Sequence, residues 1–141
     1  MNTYYDTSSV VPHIVDEAST ELCSRAWNDS TRVVCARLLY PEARDALARA
    51  ERMGRLDRSQ LRDAVAELDS VIAQVDHIEV TAALAQEAGE LAEAHGLRGH
   101  DAVHLAAAAA VHDNDLVLVT GDTSLAAAAR ALGLAVLDTS A

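Results

Sequence analysis

The 141-residue chain contains no lysine and no phenylalanine, and it has only two prolines and two cysteines. Cys23 and Cys35 form neither a disulfide framework nor a metal-binding spacing, so we expect two buried free thiols in a reducing compartment. The sequence has no apolar run of about eighteen residues, the length that a membrane-spanning helix requires. The N terminus has neither a basic region nor an apolar signal core. These absences predict a cytoplasmic protein that does not associate with membranes.

Acidic residues outnumber basic ones by 22 to 11, which gives the chain a net charge of −11. This balance by itself disfavours a nucleic-acid partner. The basic residues are all arginine, and most of them lie between residues 25 and 62. We expect the majority to form ion pairs on helix faces, such as Asp45 with Arg49. A few of these arginines are candidates for phosphate contacts.

Apolar, β-branched runs alternate along the chain with segments of helical periodicity. Strands are predicted at residues 2–5, 31–36, 77–80, 115–119 and 134–137. The continuous apolar run at 115–119 is typical of a central parallel strand that is covered on both faces. The alternation predicts an α/β fold with a central, mostly parallel sheet flanked by helices. The length is that of one domain, spanning residues 1–141.

Helix boundaries are predicted from proline, glycine and capping residues. Residues Val10–Ala18 are predicted to form an apolar helix with Pro12 in its first turn. Gly99 and His100 are predicted to break one helix, after which an alanine-rich helix runs to Val111. That alanine-rich helix is apolar along most of its length, so we expect it to be buried against the sheet.

One carboxylate, Asp101, lies in the first turn of this buried helix. By itself, such a residue is most simply a cap or a partner of the helix dipole. Three further acids occupy similar junctions: Asp6 and Asp122 directly follow strands, and Glu42 lies in the first turn of a helix. Because parallel strands end at one edge of a sheet, we expect these four acids at one rim. Asp115 precedes its strand and is expected at the opposite edge.

Four carboxylates held close together without a cation would repel one another and take up protons. Mg²⁺ or Mn²⁺ would remove that conflict, since both ions prefer carboxylate and water oxygens. Such a site suits phosphodiester hydrolysis, in which a metal activates water and offsets charge in the transition state. His100 and His104 are four residues apart but lack the zinc-helix pattern. We therefore expect His104 to pack or to hydrogen-bond in the core.

Together these segments resemble the PIN-domain family, and within it the VapC toxins of bacterial toxin–antitoxin pairs. The resemblance rests on Asp6 within Tyr-Tyr-Asp-Thr-Ser-Ser, on residues 97–108 (Leu-Arg-Gly-His-Asp-Ala-Val-His-Leu-Ala-Ala-Ala) and on residues 116–134. It covers nearly the whole chain, and Glu42 matches by its position alone. It implies a PIN-like three-layer sandwich. It also implies that the four acids of the family correspond to Asp6, Glu42, Asp101 and Asp122, as catalytic residues and metal ligands.

The resemblance further implies an endoribonuclease that depends on Mg²⁺ or Mn²⁺ and is inhibited by a small VapB-type antitoxin. The expected substrate is tRNA or rRNA, and the expected assemblies are a homodimer and a heterotetramer or larger complex with the antitoxin. Ser8 and Thr120 each lie within two residues of an expected ligand, so we expect them to support those ligands. Arg98 lies close to Asp101 and is expected to contact an RNA phosphate or a carboxylate.

Two other classes of function stay open on the sequence alone. Phosphatases of the haloacid-dehalogenase type and response-regulator receivers also place an aspartate after the first strand. Both use a lysine near the phosphoryl group, however, and this chain has none. The second class is a non-catalytic PIN-like adaptor that only binds a partner. The presence of all four acids argues against an adaptor.

Overall fold

The computed structural model describes residues 1–140, which form five strands, seven α-helices and one short 3₁₀ helix at Val11–His13. The strands are β1 (Asn2–Tyr5), β2 (Arg32–Ala36), β3 (Asp76–Ile78), β4 (Leu116–Thr120) and β5 (Ala135–Asp138). The helices are α1 (Thr7–Val10), α2 (Thr20–Asn28), α3 (Leu39–Arg52), α4 (Arg58–Ile72), α5 (Ala82–His95), α6 (Gly99–Ala110) and α7 (Thr123–Ala131).

The strands form one sheet in the order β3-β2-β1-β4-β5. Every neighbouring pair among the described residues is parallel, which confirms the predicted sheet. The central strand is β1, where Thr3 is in register with Val33 of β2 and with Val117 of β4. The carboxyl ends of β1 and β4 therefore lie side by side, and α1 and α7 begin at that same edge.

Helices cover both faces of the sheet, because successive residues of β1 point to opposite sides. Tyr4 is fully buried in a core formed with α5, α6 and α7. Tyr5 is equally buried in a second core formed with α2, α3 and α4. The α/β sandwich predicted from the sequence is thereby confirmed as three layers.

Helix α6 is the most deeply buried helix of the first core. Ala102, Leu105 and Ala106 on this helix have no exposed surface. Small alanine side chains let the helix lie close to its neighbours, where interiors tolerate few voids. This close packing also buries two polar side chains of α6, since Asp101 is 6% exposed and His104 only 2%.

The helix predicted at Val10–Ala18 is wrong. Asp6 caps the four-residue helix α1, a 3₁₀ turn follows, and the chain then leaves the helical conformation. The Thr20 hydroxyl donates to the carbonyl of Pro12 at 2.9 Å and accepts from the Glu17 amide at 2.8 Å. This side-chain bridge closes a turn in place of the next helical hydrogen bonds.

Gly99 and His100 do not break a helix as predicted, because they are the first residues of α6. The preceding helix α5 ends at Gly96, whose φ of 64° lies in the left-handed region that glycine adopts without a steric penalty.

The predicted free thiols, Cys23 and Cys35, are both buried. Within residues 1–140 no helix combines the length and the apolarity needed to cross a bilayer.

Most of the arginines form ion pairs, as expected. The predicted pair of Asp45 and Arg49 is present, with a 3.4 Å separation. The other pairs are Arg25–Glu21, Arg32–Asp76, Arg37–Glu79, Arg52–Asp45, Arg55–Glu17, Arg58–Glu51 and Arg98 with two carboxylates. Exposed pairs of this kind contribute only about 0–1 kcal/mol each. They neutralise much of the basic segment rather than holding the fold together.

Asp57 starts helix α4 with a reciprocal capping box, in which its carboxylate accepts a 2.8 Å hydrogen bond from the backbone amide of Gln60. We expect Asp57→Ala to lower the free energy of unfolding by about 1 kcal/mol, because the Gln60 amide loses its acceptor. Urea unfolding measures this change. Asp63→Ala, an exposed substitution on the same helix, is the matched control with an expected change under about 0.5 kcal/mol. Equal losses in both variants would contradict the capping role.

Candidate active site

Four acidic side chains from separate segments line one pocket of about 120 Å³ at the carboxyl edge of the sheet. The structure thus brings together all four acids that the sequence placed at one rim. The lining residues are Asp6, Thr7, Ser8, Glu42, Arg98, His100, Asp101, His104 and Asp122. The pocket therefore also contains three basic side chains among its acids.

Asp6 follows β1 and is the most enclosed of the four acids, with 3% exposure. Its Oδ1 accepts hydrogen bonds from the hydroxyls of Ser8 (2.7 Å) and Ser9 (3.0 Å), and its Oδ2 accepts one from Thr120 (2.7 Å). Burial raises the pKa of Asp6, although His104 and these hydroxyls favour the ionised form. Ser8 thus contacts the neighbouring acid near which the sequence placed it. The Thr120 hydroxyl instead donates to the carboxylate of Asp6, and it accepts from the backbone amide of its neighbour Asp122 at 3.0 Å.

Glu42, in the first turn of α3, accepts both of its hydrogen bonds through one carboxylate oxygen. Its Oε1 lies 2.6 Å from His104 Nε2 and accepts a 2.8 Å hydrogen bond from the Thr7 hydroxyl. Burial alone would raise the pKa of Glu42, but His104, with smaller help from Thr7 and His100, lowers it below its ordinary value. Glu42 is therefore ionised at neutral pH.

Arg98 connects the remaining two acids. Its Nε donates to Asp101 Oδ2 at 3.1 Å, and its Nη2 donates to Asp122 Oδ2 at 3.4 Å. Asp122 also caps α7, because its Oδ1 accepts from the Leu125 amide at 2.9 Å. His100 Nε2 lies 3.6 Å from Asp101 Oδ1. Of the two expectations for Arg98, the structure shows the carboxylate contact.

The oxygen donors of this pocket suit a hard divalent cation, because all four acids are carboxylates. Among the described residues, no group of three or more His, Cys, Asp or Glu side chains is already arranged to hold a metal ion. Each carboxylate instead accepts from hydroxyl, imidazole, amide or guanidinium donors of the protein. The residues thus fit a divalent cation by their chemistry and their shared pocket, and not as a preformed coordination shell.

Comparison with known proteins identifies the family. A family model described as the PIN domain matches residues 3–140. The chain belongs to the PIN-domain family. Two relatives of this PIN domain are the ribonucleases VapC45 and VapC49 of Mycobacterium tuberculosis, each 42% identical over 130 residues. Each alignment covers 92% of this chain and 90% of the relative, which confirms the predicted resemblance to VapC-type proteins.

Solved structures show the same fold at lower sequence identity. PAE2754 from Pyrobaculum aerophilum superposes with a TM-score of 0.73 and 23% identity, covering 99% of this chain and 85% of that one. VapC20 of Mycobacterium tuberculosis, described as a sarcin-ricin loop cleaving toxin, has a TM-score of 0.69 and 20% sequence identity. The alignment covers 89% of this chain and 94% of VapC20. VapBC2 from Rickettsia felis, bound to promoter DNA, gives 0.66 and 17%, covering 98% of each chain. These likenesses establish the PIN fold.

Some contacts of the pocket were not predicted from the sequence. Ser9 lies three residues after Asp6, so its position in the turn that Asp6 caps was a usable local signal. The hydrogen bond between His104 and Glu42 joins residues 62 positions apart, so no local sequence pattern predicts it. His104 was expected to hydrogen-bond in the core, and the structure adds that its partner is one of the four acids.

The raised pKa of Asp6 predicts a gain in stability when this charge is removed. The native state binds the Asp6 proton more tightly than the unfolded chain does, so wild-type protein loses stability as the pH rises through the native pKa. In EDTA at pH 7, we expect Asp6→Asn to melt at a higher temperature than wild type. Each kcal/mol gained corresponds to about 2–4 °C for a chain of this size.

The gain should shrink as the pH falls below the native pKa of Asp6, where the wild-type carboxyl is itself neutral. Melting curves recorded between pH 3 and pH 8 measure this trend. Asp16→Asn, at an exposed acid outside the pocket, is the control and should not change with pH in this way. A gain from Asp6→Asn that is constant across the series would contradict the assignment.

Proposed function

We propose that this PIN-domain protein is a VapC-type endoribonuclease toxin that depends on Mg²⁺ or Mn²⁺. The observation that carries the proposal is the convergence of four carboxylates from separate segments on one pocket. Such a set suits metal-assisted hydrolysis of a phosphodiester. The ribonuclease names of the two relatives, which align with 92% of this chain, support RNA as the substrate.

The four acids would serve as the ligands of the cation. When bound, the cation would activate a water for attack on a phosphodiester and offset negative charge on the phosphate. The residues of this chain hold those ligands in place: Ser8 and Thr120 fix Asp6, while Thr7 and His104 fix Glu42. The ligands themselves are Asp6, Glu42, Asp101 and Asp122.

Arg98 would supply the contact to the substrate. Its side chain is 70% exposed while its guanidinium reaches Asp101 and Asp122, so it lies at the mouth of the pocket. A guanidinium forms strong paired hydrogen bonds with phosphate oxygens. Arg98 would therefore release its hydrogen bonds to Asp101 and Asp122 and bind an RNA phosphate when the substrate enters the pocket. The RNA would be a tRNA or an rRNA, and hydrolysis would leave a 5′-phosphate.

A small VapB-type antitoxin is the proposed partner that restrains this activity. Neighbours of the fold include a toxin–antitoxin complex from Klebsiella pneumoniae, with a TM-score of 0.61, and the Rickettsia felis VapBC2 complex. An acidic pocket favours a basic side chain from such a partner. We further propose a homodimer of this chain that forms a heterotetramer or a larger assembly with the antitoxin.

The ribonuclease function is favoured over the two alternatives. The convergence of all four acids on one pocket argues against a non-catalytic adaptor. An Asp-nucleophile phosphatase would need a lysine beside the phosphoryl group, and the chain has none. The PIN-domain match over residues 3–140 also favours the nuclease.

The proposed function predicts that purified protein cleaves RNA in Mn²⁺ or Mg²⁺ and stops cleaving in EDTA. We expect Asp101→Asn or Asp122→Asn to lose at least about 100-fold in cleavage rate, because each removes one charged ligand. A labelled RNA measures the rate, and ligation of the products detects the 5′-phosphate. Asp115→Asn, at the opposite edge, is the control and should stay within about twofold of wild type. Cleavage that persists in EDTA would contradict the metal dependence.

The toxin proposal also predicts an effect in living cells. Induction of the wild-type chain in a bacterium should arrest growth and change the RNA profile, whereas Asp101→Asn should do neither. Co-expression of a small protein encoded beside this gene should restore growth if that protein is the antitoxin. Growth curves and total-RNA gels measure both effects. If wild type leaves growth and RNA unchanged, the toxin function is wrong.

A further inference from the structure

His104 is a buried histidine whose two ring nitrogens each contact one specific partner. Its Nδ1 lies 2.8 Å from the Tyr4 hydroxyl, and its Nε2 lies 2.6 Å from Glu42 Oε1. His104 is 2% exposed and Tyr4 is completely buried. A buried polar pair of this kind needs both partners satisfied, and here each one is.

The direction of the hydrogen bond to Glu42 follows from its acceptor. An ionised carboxylate has no proton to donate, so the Nε2–H of His104 donates to Glu42 Oε1. The Tyr4 hydroxyl pairs with the other ring nitrogen, Nδ1, at 2.8 Å, which holds the ring in the orientation that points Nε2 at Glu42.

Glu42 is left with one occupied and one unoccupied oxygen. Oε1 accepts from both His104 and the Thr7 hydroxyl. Oε2 has no hydrogen-bond partner within residues 1–140, although Glu42 lines the acidic pocket. Protein carboxylates that bind metals are commonly held in this way, with neighbouring donors orienting the ligand.

The Tyr4–His104–Glu42 chain also connects the three elements that carry the enclosed acids. Tyr4 belongs to β1, the strand that Asp6 directly follows. His104 lies on α6, three residues after Asp101, and Glu42 belongs to α3. A shift of one element would therefore be transmitted to the next through hydrogen bonds shorter than 3 Å.

We propose that Tyr4 and His104 form a buried positioning pair that fixes the carboxylate of Glu42 and leaves its Oε2 for the divalent cation. His104 is a positioning residue in this scheme, because it acts on the cation only through Glu42. The proposal rests on the proposed metal-dependent function. It predicts that metal affinity depends on a side chain at position 104 that is long enough to donate a hydrogen bond to Glu42. It also predicts that metal affinity depends on the hydroxyl of Tyr4.

The first test compares two amide variants of His104. The amide nitrogen of glutamine in His104→Gln takes about the place of Nε2 and can donate to Glu42. The shorter asparagine in His104→Asn cannot reach that oxygen. We expect His104→Asn to weaken Mn²⁺ binding by about 10–100-fold, and His104→Gln to recover most of that loss. Isothermal titration calorimetry with Mn²⁺ measures the affinities, and melting in EDTA measures stability separately.

The second test remains informative if changes at His104 disturb folding. Tyr4→Phe and Tyr5→Phe each remove one fully buried hydroxyl with a 2.8 Å hydrogen bond, but on opposite faces of the sheet. Both should lower the melting temperature in EDTA by similar amounts. Only Tyr4→Phe should weaken Mn²⁺ binding, by about threefold to tenfold. The Tyr5 hydroxyl donates to the carbonyl of Cys23 and, among the described residues, forms no hydrogen bond to the acids.

The outcomes separate this proposal from the function on which it rests. If wild type binds Mn²⁺ and cleaves RNA, while Tyr4→Phe matches Tyr5→Phe and His104→Gln matches His104→Asn in affinity, the positioning pair is overturned and the nuclease stands. If wild type neither binds Mn²⁺ nor cleaves RNA, both proposals fail together. Selective losses in Tyr4→Phe and His104→Asn support the positioning pair.

Discussion

The mutual repulsion of four carboxylates in one pocket is the constraint on which the polar architecture of this protein depends. Each acid would be costly to enclose beside the others without its own compensation. The structure supplies that compensation one acid at a time, with hydroxyls for Asp6, an imidazole and a hydroxyl for Glu42, and a guanidinium shared by Asp101 and Asp122. The arrangement is stable enough to fold, yet it keeps a concentration of negative charge that suits a cation.

The apolar part of the fold serves the same pocket. The central position of β1 places Asp6 between two neighbouring strands, and the parallel order brings the end of β4 beside it. The alanine-rich helix α6 packs so tightly that Asp101 and His104 are held with little freedom. Rigid elements of this kind can hold ligands more precisely than loops can.

The two halves of the pocket are held in different ways. Asp6 and Glu42 depend on buried groups such as Thr120, His104 and Tyr4, whose positions are set by the core. Asp101 and Asp122 depend on Arg98, an exposed side chain that water and ligands can reach. Exposed pairs are weak and exchange partners readily. Asp6 and Glu42 are thus held by buried donors of fixed position, whereas the donor that Asp101 and Asp122 share can exchange its partners.

The sequence by itself determined the class of fold and the place of four acids at strand and helix ends, because strand periodicity and the residues at strand ends are local properties. The resemblance of its motifs to a known family indicated the PIN domain. It also indicated that Ser8 and Thr120 lie near those acids. The tertiary structure alone decided that helix α1 stops early, since Thr20 closes the turn from a distance in the chain. It alone decided that Arg98 spans two carboxylates and that Tyr4, His104 and Glu42 form one hydrogen-bonded chain. The contacts Arg98–Asp122, His104–Glu42 and Tyr4–His104 join residues 24, 62 and 100 positions apart, so they depend on how the sheet and the helices pack and leave no local pattern in the sequence.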